Sequence, residues 1–321
     1  MEASMAKVAL DSNNGEIKVN CSTTMVVEKS GRGFKSIQAA IDSIPQNNLN
    51  WTCILIKAGV YRERVYIPYR KSFIYMAGEG MERTYVVADA QGPMDESATL
   101  ITQGDNIIFK GISFTNSYNY PRVGPQNPMK PALAAKVEGD KTAFYGCGFY
   151  GLQDTLWDVS GRHYFKHCTI VGAVDFIFGA GQSIYENCVI SVLGQDLGEQ
   201  GMGYITAQGR ENPNETNGFV FKYCNIIGRG KAYLGRPWRK YARVIFYKTF
   251  MSDVVVPQGW DPYFNSGGLE SLLTVAEIDC IGPGAKTLGR AAWAKSKLSG
   301  QGLQDLININ YINSDGWITP I

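Results

Sequence analysis

From about residue 50 to residue 280 the apolar positions fall in short runs, not in long amphipathic stretches. "CILIKAGVY" from Cys53, "SFIYMAG" from Ser72, "TYVVAD" from Thr84 and "NIIFKGISFTN" from Asn106 are rich in β-branched and aromatic residues, and turn-forming Gly, Asn and Asp punctuate them. The pattern predicts many short strands. One helix is predicted, in "GFKSIQAAIDSIPQ". Ile37, Ala40, Ile41 and Ile44 recur there at helical spacing, and Pro45 ends the run.

The strand runs repeat. "FKGISF" from Phe109, "FYGCGF" from Phe144, "FKHCTI" from Phe165, "YENCVI" from Tyr185, "FKYCNI" from Phe221 and "FYKTFM" from Phe246 align, with successive offsets of 35, 21, 20, 36 and 25. Each begins with an aromatic, and four carry Cys three residues later. A unit of about 20 to 25 residues with loop insertions is the signature of a solenoid. The strand-like composition makes the fold class all-β, a right-handed parallel β-helix with one coil per repeat. A leucine-rich repeat has a similar period, but Leu is sparse at these positions. The helix over 37–44 caps one end of the solenoid, because a bare terminal coil exposes apolar surface and strand edges. The segment after Gly282, irregular and weakly helical, is expected along the outside or over the other end. Length and pattern suggest a single domain over 1–321, with residues 1–25 as a loosely ordered N-terminal extension.

The aligned Cys147, Cys168, Cys188 and Cys224 would stack as an internal ladder of small buried side chains. Neighbouring rungs are about 4.8 Å apart, so a disulfide within the ladder stays open. With seven cysteines in all, at least one is left unpaired in a monomer. No C-x-x-C pair occurs, which argues against a zinc or thioredoxin-like centre.

The repeat also aligns two aspartates. Asp154 in "GLQDTLW" and Asp175 in "AVDFIFG" each lie seven residues after a ladder cysteine, 21 residues apart. On consecutive coils they come within about one rung of each other, roughly 5 Å. Two carboxyls that close split their proton affinities, one staying an acid and the other an anion. That division suits a nucleophile beside a general acid. It also answers why a charge stands in an apolar run, since an unpaired buried carboxylate is costly. The alternative is two ordinary turn aspartates.

Other chemistry is poorly supported. His163 and His167 lack the H-E-x-x-H pattern and lie in a predicted strand, so they read as structural or surface residues. No G-x-S-x-G elbow and no evident metal cluster occur. The net charge of +2 gives no sign of nucleic-acid binding, and no apolar stretch reaches the length of a membrane span. The N-terminus lacks the apolar core of a secretory signal, while sequons at Asn20 and Asn214 weakly favour secretion. "AYLGRPWRKYAR" gathers Tyr233, Arg236 and Trp238, and "VPQGWDP" adds Trp260. Arg suits a carboxylate, and Trp offers a flat face to a sugar ring.

With these motifs in place the chain resembles the plant-type pectin methylesterases. "GVYRERV" from Gly59, "GLQDTLW" from Gly151, "VDFIFG" from Val174 and "YLGRPW" from Tyr233 match that family's signatures in order, supported by "TAQGR" from Thr206 and "PQGW" from Pro257. The resemblance implies hydrolysis of the methyl esters of homogalacturonan (pectin), giving methanol and free carboxylates without a metal or other cofactor. It implies Asp175 as nucleophile, Asp154 as general acid and later base, Gln153 as oxyanion donor and Arg236 as the partner of the nucleophile. Trp238 and Trp260, with Tyr233 and Phe178, become candidate substrate contacts. Secretion to the cell wall, action as a monomer and a proteinaceous inhibitor as possible partner follow by the same resemblance. The sequence departs from the family at one point. Many members carry a second oxyanion glutamine about 22 residues before the QD pair, and Pro131 stands there, with neither a side-chain donor nor a backbone N–H. Two other readings remain at this level: a glycoside hydrolase or lyase that cuts pectin, and a catalytically weak carbohydrate-binding homologue.

Overall fold

The computed structural model describes residues 9–11, 16–121, 129–198, 201–265, 267–294 and 298–318. Successive coils build three parallel sheets of ten, eight and seven strands. The ten-stranded sheet runs from Thr23–Val27 to Thr274–Ile278. The eight-stranded sheet runs from Gly59–Arg62 to Phe250–Met251, and the seven-stranded sheet from Val65–Ile67 to Ala232–Gly235. The architecture is the expected right-handed parallel β-helix, the hand that parallel crossovers almost always take.

The repeat explains how each coil forms. Its leading aromatic points inward from the ten-stranded sheet. Phe109, Phe144, Phe165, Tyr185, Phe221 and Phe246 stack in one file, with centroids 4.7, 5.0, 4.6, 4.5 and 4.7 Å apart. Two residues later, Gly111, Gly146, His167, Asn187, Tyr223 and Lys248 all take left-handed φ between 47° and 63°. That residue turns the chain from the ten-stranded into the eight-stranded sheet. His167 therefore sits in a turn and not in a strand.

The cysteine comes next. The thiols of Cys168, Cys188 and Cys224 donate to the carbonyl oxygens of Phe144, Phe165 and Tyr185 on the preceding coil, at 3.5, 3.4 and 3.3 Å. A small side chain with one weak donor fits a tight corner that offers a backbone acceptor. A seventh copy escaped the sequence reading. "EIDCIG" from Glu277 aligns in register with the Phe246 segment, and Cys280 donates to the Phe246 carbonyl at 3.4 Å. Glu277 replaces the aromatic and pairs instead with Arg290 at 2.7 Å, both nearly buried. No disulfide forms within the ladder. Cys21 bonds to Cys53, tying the segment before the first strand of the ten-stranded sheet to its second, and the other five cysteines are thiols.

The near end is closed by the helix Ile37–Ser43. The Ser36 hydroxyl accepts the Ala39 N–H at 3.1 Å as its N-cap, and Ile37, Ala40 and Ile41 are buried. At the far end, Ala294 joins the core and Ala285, Ala291 and Trp293 pack against it. The helices Gly300–Ile307 and Asn310–Asn313 lie along the outside of the ten-stranded sheet. There Leu303, Ile307 and Ile312 pack with Tyr164, Ile184, Val220 and Ile245. At the N-terminus, Ala9–Asp11 pairs antiparallel with Glu16–Lys18, and Thr23–Val27 is already a paired strand of the body. The extension expected over 1–25 is thus shorter where it is described; residues 1–8 and 12–15 lie outside the described residues. Among the described residues no helix is long and apolar enough to cross a membrane.

Candidate active site

The two aspartates meet on the seven-stranded sheet. Leu156 pairs with Ile177, Gln153 bridges Val174, and the Asp154 N–H donates to the Val174 carbonyl at 3.0 Å. Asp154 and Asp175 therefore occupy matching places on adjacent coils. Both take left-handed φ, 59° and 48°, a conformation that Asp tolerates better than most residues but that still stores strain.

Local structure explains how a charge leaves the run "AVDFIFG". Against the next strand, Val174 pairs with Tyr204 but Ile177 with Thr206, so the register slips between them. Asp175 and Phe176 face one residue across this bulge, a device that re-aims side chains beside active sites. Val174 and Phe176 stay buried at 8 % and 0 % exposure. The Asp175 side chain stays partly open to solvent, at 16 % exposure.

Arg236 meets it there. It follows the strand Ala232–Gly235, and its N–H donates to the Thr206 carbonyl at 3.0 Å. Its guanidinium forks onto Asp175, Nε to Oδ1 at 2.8 Å and Nη2 to Oδ2 at 2.5 Å. The rings of Tyr204 and Tyr263 flank the guanidinium carbon at 4.2 and 4.6 Å.

The electrostatics separate the pair. Burial pushes the Asp154 carboxyl up to about 7, the neighbouring Asp175 charge adds to this, and Arg236 opposes it from a distance. Burial also raises Asp175, but there the Arg236 fork acts directly to pull it back. Asp154, with no hydrogen-bonded cation among the described residues, is the better proton holder. Asp175 is the better anion.

The remaining predicted residues divide. The Gln153 side-chain amide has no partner among the described residues, while the Gln153 backbone carbonyl accepts the Ala132 N–H at 3.2 Å. That bond sets Pro131 on the coil preceding Gln153. Trp238 is half-buried over Phe178, at 6.3 Å, and Trp157 stacks on Phe178 at 5.4 Å. Phe178 itself is 4 % exposed and forms the floor beneath these rings. Tyr233 stacks on Tyr204 at 5.4 Å.

Trp260 departs from expectation. It is 2 % exposed, packs at 6.0 Å from Phe246, and its Nε1 donates to Glu277 at 3.1 Å. It bridges Gly235 from within the core, so it offers no ring face to a sugar and instead supports the strand that carries Arg236.

Sequence reasoning missed Trp157, Tyr204, Asp261 and Tyr263. Tyr204 stands just before "TAQGR" and Asp261 just after "PQGW", so the signal was proximity to motifs already noted. Among the described residues no group of three or more His, Cys, Asp or Glu could hold a metal ion.

Comparisons with known proteins identify the family. A sequence model of the family described as Pectinesterase matches residues 24–315. "Probable pectinesterase 29" of Arabidopsis thaliana is 53 % identical over 298 residues, covering 92 % of this chain and 88 % of the relative. "Probable pectinesterase 55" of the same plant is 53 % identical over 300 residues, covering 92 % and 90 %. Among solved structures, a pectin methylesterase from carrot superposes with a TM-score of 0.83 at 29 % identity, over 94 % of this chain and 96 % of that one. A pectin methylesterase from Aspergillus niger gives 0.76 at 26 %, over 97 % of each. The chain belongs to the pectinesterase family and is a carboxylic ester hydrolase that de-esterifies pectin.

Proposed function

We propose that this chain performs the reaction through Asp175 and Asp154 in a two-step acyl transfer. Ionised Asp175 attacks the carbonyl carbon of a galacturonate methyl ester. Gln153 donates to the oxygen that gains charge. Protonated Asp154 gives its proton to the departing methoxide, and methanol leaves an acyl-enzyme. Water then attacks that mixed anhydride while Asp154 takes its proton, which frees the galacturonate carboxyl and restores both aspartates.

The observation that carries this reading is the asymmetry of the pair: Arg236 forks onto Asp175, while Asp154 is buried without a hydrogen-bonded cation among the described residues. Trp238, Trp157 and Tyr233 supply apolar surface for the polymer, which Phe178 underlies. A single domain spans the chain, acts as a monomer and works in the cell wall after secretion. A proteinaceous inhibitor is a candidate further partner, by family resemblance. The test is methanol release from methylated pectin, followed together with viscosity and new reducing ends. Methanol without chain cleavage supports the reading; chain cleavage without methanol overturns it.

A further inference from the structure

Arg236 does not hold its aim unaided. Its guanidinium carbon lies 4.2 and 4.6 Å from the Tyr204 and Tyr263 ring centroids, and one carboxylate binds both residues. Asp261 Oδ2 accepts the Tyr204 hydroxyl at 3.1 Å, and Asp261 Oδ1 accepts the Tyr263 backbone N–H at 2.9 Å. We propose that Asp261 is a positioning residue, whose carboxylate fixes Tyr204 and Tyr263 against Arg236 and so keeps Arg236 forked on Asp175.

Three features support this. Tyr263 takes a left-handed φ of 52°, which costs energy in a bulky residue and persists only where its surroundings enforce it. The Asp261 side chain supplies that enforcement, as Asx turns do. The segment is also tethered at both ends to the residues on either side of Arg236. The Asp261 N–H donates to the Gly235 carbonyl at 3.1 Å, and Asn265 Nδ2 donates to the Pro237 carbonyl at 2.8 Å from a buried position. Tyr204, finally, is held by its ring against Tyr233 and by its hydroxyl on Asp261, so its one rotatable polar end points at this carboxylate. A guanidinium packed against aromatic rings loses little further freedom when it forks onto a carboxylate.

Asp261 touches neither Asp175 nor, on the mechanism above, the ester. Its effect passes through the clamp. The inference rests on Asp175 being the nucleophile and Arg236 its partner, and the experiment separates the two ideas.

The full chain is assayed for methanol release across pH, as wild type and as Asp261→Ala, Asp261→Asn, Tyr204→Phe and Asp175→Asn, with circular dichroism to confirm folding. In Asp261→Ala, kcat should fall about 10- to 100-fold with KM little changed, the cost of a misaimed catalytic group. The acid limb of kcat/KM should move to higher pH, because a loosened Arg236 no longer holds Asp175 down. Asp261→Asn keeps an oxygen for the Tyr263 N–H and an amide to meet the Tyr204 hydroxyl, so it should recover most of the activity. Tyr204→Phe keeps the ring but loses the tether and should show a smaller shift in the same direction.

A folded Asp261→Ala enzyme with an unmoved acid limb overturns the proposal, whether kcat falls or not. If Asp261→Ala does not fold, Tyr204→Phe decides by the same limb. Methanol release by Asp175→Asn would instead overturn the catalytic reading, and the clamp with it.

Discussion

Arg236 grips Asp175 with two parallel hydrogen bonds, of 2.8 and 2.5 Å, across a bulge in the strand that carries the aspartate. The pair joins segments 61 residues apart in sequence. The fork fixes the carboxylate in orientation as well as in charge. Lys carries the same charge but only a point donor, so Arg236→Lys tests orientation alone. We expect kcat for methanol release to fall on the order of 100-fold in that variant. Near wild-type turnover would show that charge suffices.

Asp154 should be both an active-site acid and a burden on stability. Its carboxyl is pushed up to about 7 in the folded chain, chiefly by burial. A raised carboxyl binds its proton more tightly when folded. The fold therefore suffers no penalty below the ordinary carboxyl range. The penalty grows as pH rises from there to about 7 and is complete above it, reaching about 4 kcal/mol. Asp154→Asn should thus raise the melting temperature at pH 8 and leave it unchanged near pH 3, while methanol release collapses. A stability gain equal at both pH values would contradict the assignment of the burial cost to ionisation.

The same group sets the alkaline side of the activity profile. The first step needs Asp154 protonated and Asp175 ionised. In the wild-type enzyme kcat/KM should rise through the Asp175 titration and decline as pH passes about 7. An activity still climbing above pH 9 would show that a proton on Asp154 is not required in the free enzyme.

Pro131 can be tested by restoring what it replaces. The Ala132–Gln153 hydrogen bond sets it one coil from Gln153, where a longer amide could reach the same oxyanion. A missing oxyanion donor costs about 100-fold or more in other hydrolases, so Pro131→Gln should raise kcat by about tenfold or more. An unchanged kcat would mean that Gln153 alone meets the demand.

Much of this fold was legible in the sequence because its core is a column. Phe165 touches Phe144 and Tyr185 only because each coil repeats the last, so a local pattern reports a long-range contact. The Asp154–Asp175 pair was readable for the same reason. What the repeat did not disclose breaks the repeat. The bulge that frees Asp175 depends on a register slip against Gly203–Gln208, a strand reached through an insertion. Trp260 reads like a surface aromatic in a loop. It is buried with its Nε1 bonded to Glu277, which sits where the other copies of the repeat place an aromatic. The Cys21–Cys53 disulfide lies outside the ladder altogether.

The stacked column should carry a large share of the stability. Phe165 is fully buried, with a ring stacked on each side at 5.0 and 4.6 Å. Phe165→Ala leaves a cavity that the rigid coils cannot close and should cost about 3 to 5 kcal/mol by denaturant unfolding. A cost under about 1 kcal/mol would mean that neighbouring coils collapse into the gap, against the close packing expected of protein interiors.

The central claim is that Asp175 makes the bond to the ester carbon. Its most direct test is methanol release from highly methylated pectin by folded Asp175→Asn, beside the wild-type chain at the same pH. The isosteric amide keeps the shape of the site but lacks the nucleophilic oxygen anion. We predict methanol release at the background rate for the variant and sustained release for the wild type. Turnover by the variant within about tenfold of wild type, far less than loss of a nucleophile costs, would contradict the account.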